Sequence, residues 1–122
     1  MDMTRGVERI AEAFCRHRFE ETYPYLRDDV RWHLVGDRLV VGREDVEHTC
    51  EQSAEYLAGV TTTFTRFRVV AGNDSVVVDS EAEYTDRDGD SSIVASCDIF
   101  DFSDGQLAGI TSYTIELGDP AG

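Results

Sequence analysis

The sequence contains no lysine. All 11 basic residues are arginine, set against 25 aspartates and glutamates, so the 122-residue chain carries a formal net charge of −14. A surface this acidic repels phosphate backbones and anionic headgroups, which argues against nucleic acid and membrane as partners. High genomic GC content would produce the arginine bias, and so would life in high salt. Long apolar runs are missing too, so no segment is suited to cross a bilayer as a helix. The opening Met1-Asp2-Met3-Thr4-Arg5 has no apolar stretch of the kind a secretory leader needs, which predicts a soluble, cytoplasmic protein. Cysteine is scarce: Cys15, Cys50 and Cys97 are odd in number, far apart and without a Cys-x-x-Cys pair. That excludes a disulfide framework and a zinc site, and the three read as small buried residues. Also absent are the Gly-x-Gly-x-x-Gly and Gly-Lys-Ser/Thr phosphate loops, the His-Glu-x-x-His zinc pair and the Gly-x-Ser-x-Gly nucleophile elbow. Asp86-Arg87-Asp88-Gly89-Asp90 lacks the ligand spacing of a calcium loop and reads as a hairpin tip. Neither a cofactor nor a metal is expected.

What is present is the composition of one globular domain: 41% hydrophobic and 10% aromatic residues, enough to build a core without covalent staples. Val7, Ile10, Ala11 and Phe14 recur at helical spacing, predicting an amphipathic helix over 4–18. A short helical stretch follows over 19–26, shortened by Pro24. Val30 to Val35 and Leu39 to Val41 flank a Gly36-Asp37 turn and read as a hairpin. Residues 43–58 are helical again, with Val46, Cys50, Ser53 and Leu57 on one face and Gly59 as the stop. The period then changes to two, predicting strands over 61–70, 76–85, 91–102 and 107–117 joined by short polar turns. Helices first and a strand meander afterwards imply an α+β fold, with one domain over 1–117 and a frayed tail over 118–122.

The alternation also sorts side chains by face. Asp98 shares a face with Ser96, Phe100 and Phe102, an otherwise apolar row predicted to line the concave side. A carboxyl group there needs a partner, trapped water or a ligand, because burying it ionised and unpaired costs several kcal/mol. Ser112 and Thr114 are predicted to point inward beside it, with Tyr56, Tyr84 and Phe100 as further lining. Trp32 points to the face opposite His33, where an indole packs a helix against the sheet. Glu81 and Glu83 form an outward, solvated stripe, and His17 and His48 read as surface residues. Ile99, Tyr113 and Ile115 alternate to the convex side, an apolar patch that predicts a homodimer.

Three segments, taken in order, carry a family resemblance: Leu26-Arg27-Asp28-Asp29-Val30-Arg31-Trp32-His33-Leu34-Val35-Gly36, then Gly42-Arg43-Glu44-Asp45-Val46, then Asp98-Ile99-Phe100-Asp101-Phe102-Ser103-Asp104-Gly105-Gln106-Leu107. With the element order, they resemble the nuclear-transport-factor-2-like superfamily over nearly the whole chain, in particular its SnoaL-like polyketide cyclase and ketosteroid isomerase branches. The resemblance implies helices packed into a curved antiparallel sheet, a cone-shaped α+β barrel around an apolar pocket. It implies a site as well: Asp98 falls where the isomerases keep a neutral carboxylic acid as oxyanion donor, and His33 where they have their general base. Two positions depart from that pattern, since the base is replaced and the isomerases' helical tyrosine falls near Ile10. In the epoxide hydrolase branch the last-strand carboxylate falls at Ser112, which removes the water-activating group. The expectation is a pocket for an apolar carbonyl compound, with cofactor-independent proton transfer of the isomerase, cyclase or dehydratase type by His33 and Asp98. A non-catalytic binding or dimerisation module is the alternative, favoured if Phe64, Phe100 and Phe102 plug the cavity.

Overall fold

The computed structural model describes residues 3–118, with side chains from Gly6 onward; the expected tail beyond Gly118 lies outside the described residues. Helix α1 spans Met3–Cys15 and a 3-10 helix spans Phe19–Tyr25. Strands β1 (Leu26–Leu34) and β2 (Arg38–Val41) precede helix α2 (Arg43–Leu57). Strands β3 (Thr61–Ala71), β4 (Ser75–Thr85), β5 (Ser91–Ser103) and β6 (Gln106–Gly118) complete the chain. The α+β architecture expected from the sequence is therefore observed, with element bounds close to those the periodicity predicts. Its order is β2-β1-β6-β5-β4-β3, so the curved sheet of the expected cone-shaped fold is open, with β2 and β3 as edges. The sheet is mixed where an antiparallel one was expected: β1 runs parallel to β6, because the chain returns to β1's flank only after the whole meander has been laid down.

α1 buries the predicted stripe, with Ile10, Ala11 and Phe14 sealed against the sheet and Val7 at its margin. Phe14 is the hub. Its ring meets those of Phe19, Trp32 and Phe100 edge to face at centroid distances of 5.2, 5.1 and 5.5 Å. Such contacts add to the roughly 1.5–3 kcal/mol that burying one large apolar side chain contributes. α2 presents Val46, Thr49 and Cys50 to the same core.

Helix α1 ends in a tight reversal. The amide of Arg18 donates to the Ala13 carbonyl at 2.8 Å and that of His17 to the Phe14 carbonyl at 3.1 Å, while His17 takes a left-handed φ of 65°. This is a Schellman closure, in which glycine usually holds the left-handed position. At the far end of the sheet, Asp104 and Gly105 both have positive φ and join β5 to β6 in the two-residue hairpin that Asp-Gly favours.

One irregularity positions aromatic side chains. Phe64 opposes Ala82 and Arg66 opposes Glu81, so Thr65 is an extra residue in β3. A residue added to one strand shifts the alternation beyond it. Phe64 and Phe67, three apart, therefore share the inner face and meet at 5.2 Å, and the Arg16 guanidinium lies 3.9 Å from the Phe67 ring centroid.

Because three aromatic neighbours lose their common partner at once, Phe14→Ala is expected to destabilise the fold by about 3–5 kcal/mol. Urea unfolding measures it, and a loss under about 1 kcal/mol would remove Phe14 from its place at the centre of the core.

Candidate functional site

A cleft of about 690 Å3 opens between the concave face of the sheet and the ends of α1 and α2. Its floor is buried: Phe14, Trp32, Ser80 and Ser112 are all less than a tenth exposed. Its rim carries Arg38, Gln52 and Glu116, together with Tyr56, which is 71% exposed. A buried floor of aromatic side chains with a few polar groups, under an exposed polar rim, is the usual anatomy of a small-molecule site.

Pairing across the sheet decides which residues enter the cleft. Val78, Asp98, Ser112 and Leu34 lie in one cross-strand row on the concave side. The adjacent row, Val77, Ile99, Thr111 and His33, faces the other way. Asp98 and Ser112 are thus in the cleft, as predicted. His33 is not: it is exposed on the outer face of β1, opposite Leu39. Trp32 takes the inward place, since a strand cannot present two successive side chains to one face. The expected pairing of His33 with Asp98 is therefore corrected. A second correction concerns Phe100, which is fully buried in the core beneath Phe14 and does not reach the cleft. Tyr56, Tyr84 and Thr114 line it, as expected.

Asp98 is held by a directed relay. The Trp32 indole Nε1–H donates to Ser112 Oγ at 2.9 Å, and Ser112 Oγ donates to Asp98 Oδ1 at 2.5 Å. Indole can only donate, so the single hydroxyl proton of Ser112 is free for the carboxyl oxygen. The Cys15 thiol contacts Oδ2 at 3.7 Å, a weak donor that leaves this oxygen open to a ligand. Burial pushes the Asp98 carboxyl above its ordinary range, opposed by the hydrogen bonds from Ser112 and Cys15. Burial and the neighbouring Asp98 also push the Cys15 thiol far up, so it is a poor nucleophile. Of the three cysteines only Cys50 is fully buried as expected; Cys15 and Cys97 are half-buried, and Cys97 lies opposite Tyr113 on the outward row.

His17, read from sequence as a surface residue, is half-buried in the wall of the cleft. Its ring lies 5.9 Å from Phe19 and 6.1 Å from both Phe64 and Tyr84, and burial lowers its pKa from 6.5. Helical periodicity treats His17 as one more polar residue at the end of α1; the reversal that turns it inward is tertiary. The Tyr84 phenol is raised by burial first and then by Asp98. Among the described residues no three His, Cys, Asp or Glu side chains assemble as a metal-ligand set, and no helix is long and apolar enough to cross a membrane.

Comparison with known proteins agrees with this fold. The family model described as "SnoaL-like domain" matches residues 7–110. An NTF2-like protein of unknown function from Cytophaga hutchinsonii superposes with a TM-score of 0.83 at 27% identity, over 93% of this chain and 100% of that one. A Xanthomonas campestris protein provisionally described as a polyketide cyclase gives 0.72 at 20% identity, over 91% and 88% of the two chains. An LEH-like epoxide hydrolase from M. tuberculosis gives 0.67 at 18% identity, over 93% and 82%. A search of curated proteins finds no match.

The raised pKa of Asp98 carries a sign for stability. A folded-state pKa above the unfolded one gives stability that is present below the unfolded value and is lost as pH rises through the folded value. Asp98→Asn is therefore expected to be more stable than wild type at pH 7, with the gap closing as pH falls through the ordinary carboxylate range; thermal midpoints across pH read this. Equal or lower stability of Asp98→Asn at neutral pH would contradict it. Ser112→Ala strands the indole N–H and carboxyl oxygen together and should cost about 1–3 kcal/mol.

Proposed function

The chain belongs to the SnoaL-like domain family, and on that footing we propose that it binds an apolar carbonyl compound in its cleft and catalyses cofactor-independent proton transfer on it. The observation that carries this reading is the Asp98 carboxyl, directed by Ser112 and Trp32 and facing an open cleft with no ion-pair partner among the described residues. A carboxyl group kept neutral by its surroundings can donate a hydrogen bond. With Oδ1 taken by Ser112, Oδ2–H is the donor for the ligand's carbonyl oxygen. When a proton leaves the carbon next to that carbonyl, the electron pair of the C–H bond becomes the enolate and charge collects on the oxygen. A fixed donor at that oxygen acts where charge develops, which is where electrostatic stabilisation is most effective. Return of a proton to a different carbon completes an isomerisation; closure onto a second carbonyl completes a cyclisation.

Phe100 and Phe102 are packed in the core below and Phe64 stands in the wall of the cleft, which stays open and so favours a ligand over the plugged interior of a purely structural module. The similarity to proteins described as a polyketide cyclase and an epoxide hydrolase supports small-molecule chemistry in general and selects no single reaction.

We also propose that two copies pair through the outer face of the sheet. Tyr113 and Ile115 on β6 are 46% and 62% exposed there, and on the same face the edge-strand Arg66 and Arg68 are paired with Asp79. An isologous contact lets this one patch cover itself. Sedimentation at micromolar concentration should give twice the chain mass, reduced to the monomer by Ile115→Glu; a monomeric wild type would sink the dimer.

The proton-transfer reading is tested with 2-tetralone, an apolar bicyclic ketone whose α-hydrogens exchange in D2O and are followed by proton NMR. Wild type is expected to exceed the buffer rate by about tenfold or more, and Asp98→Asn to lose about 100-fold of the protein-catalysed rate. Exchange no faster than in buffer would contradict the reading.

A further inference from the structure

Resting on the proton-transfer reading, we infer that His17 is the proton acceptor of the cleft, turned into its wall by the left-handed residue that closes helix α1 and boxed there by Phe19, Phe64 and Tyr84. Neither His17 nitrogen has a hydrogen-bond partner among the described residues, and among those residues no sealed side-chain nitrogen or oxygen lacks one. The imidazole nitrogens are thus open to the cleft rather than spent on the protein.

The backbone points the same way. The left-handed position of a Schellman closure is glycine's place, because a side chain there meets its own carbonyl. Histidine at φ 65° bears that strain, and the ring it places is half-buried in the same cleft that holds Asp98. Strain retained beside a ligand-sized space is a mark of function more than of stability.

Chemistry narrows the choice among the lining groups. A base must hold a free electron pair at neutral pH. The Cys15 thiol and the Tyr84 phenol are both pushed up and stay protonated, and Asp98 is the donor. Glu116 lies on the exposed rim. Burial lowers the pKa of His17, so its imidazole keeps a free electron pair at neutral pH. In water a carboxylic acid and an imidazole are not both neutral over any useful range, since the first ionises before the second deprotonates. Burial moves the two toward each other, the direction in which a neutral acid and a neutral base can coexist for an enolisation. The α-proton passes to the imidazole nitrogen, the C–H electrons form the enolate, and Asp98 Oδ2–H holds its oxygen; the imidazolium then returns the proton to carbon.

The charged and titratable neighbours of His17 are Cys15, Arg16 and Arg18 on its own turn and Tyr84 on β4, with Asp98 on β5 in the same cleft. Arg18 is engaged with Glu21 at 3.6 Å, and Arg16 lies over Phe67. The packing surfaces from the 3-10 helix and β3 are the uncharged Phe19 and Phe64.

The test uses two variants that suit a left-handed backbone, His17→Asn and His17→Gly, in the 2-tetralone exchange assay from about pH 5 to pH 8. Wild type should show a rate that falls at higher pH as Asp98 ionises and, at lower pH, a limb that climbs as the His17 imidazole loses its proton below the ordinary imidazole pKa. Both variants should lose this limb and about 100-fold in rate, while 2-naphthol, a non-exchanging probe of the cleft, binds within about threefold of wild type. Free imidazole should restore exchange in His17→Gly and leave wild type unchanged, a rescue that a packing role would not give. Wild-type rates in both variants, or a loss found in Glu116→Gln instead, would overturn the assignment while leaving the Asp98 reading intact. Absence of exchange in wild type would overturn both.

Discussion

The site depends on one hydrogen-bond relay, from the Trp32 indole to Ser112 to Asp98, which ties β1 to β6 and β6 to β5. The first link has a single permitted direction, because an indole N–H cannot accept, and it leaves the hydroxyl proton for the carboxyl. With Ser112 on Oδ1, Oδ2 is the oxygen left to the cleft. The relay also solves a problem of burial: a carboxyl group on a concave apolar face needs at least one partner, and Ser112 supplies it without a counter-charge. An arginine in that place would have held Asp98 ionised. With a hydroxyl, burial remains the dominant influence and the carboxyl's pKa stays raised.

The parallel pairing of β1 with β6 makes this relay possible. Trp32 and Ser112 are 80 residues apart, and their contact is closed by a strand that joins the sheet beside the last one formed. The core around Phe14 serves the same end, since its contacts with Trp32 and Phe100 brace the floor under the cleft. Fold stability and site geometry draw here on the same few aromatic residues.

Much of this was legible in the sequence, and the reasons are local. The stripe Val7, Ile10, Ala11 and Phe14 has one helical reading, and the four late strands have period two with Gly and Asp at their turns. Asp98 stood out because it interrupts an apolar row, and Ser112 because strand alternation places it inward. The failures lie where a face depends on distant pairing. His33 was drawn to the site by resemblance, while the strand's own alternation gives that face to Trp32. Phe100 has the predicted direction but lies too deep, a matter of where α1 lands. His17 carries no periodic signal; its direction follows from a helix end that only the tertiary structure reveals. The Thr65 bulge, which brings Phe64 and Phe67 together, is likewise set by pairing between strands.

The central claim is that Asp98 is a neutral donor maintained by its surroundings, and the most direct measurement is its own titration. Carbon-13 labelling of aspartate, with Asp98 assigned by difference from Asp98→Asn, follows this carboxyl through pH. The account predicts a midpoint raised from 3.8 into the pH range in which exchange is catalysed, moved higher again in Ser112→Ala, where a hydrogen bond favouring the ionised form is removed. A midpoint below that pH range would mean that Asp98 works as an ordinary carboxylate, and the donor role would fall with it.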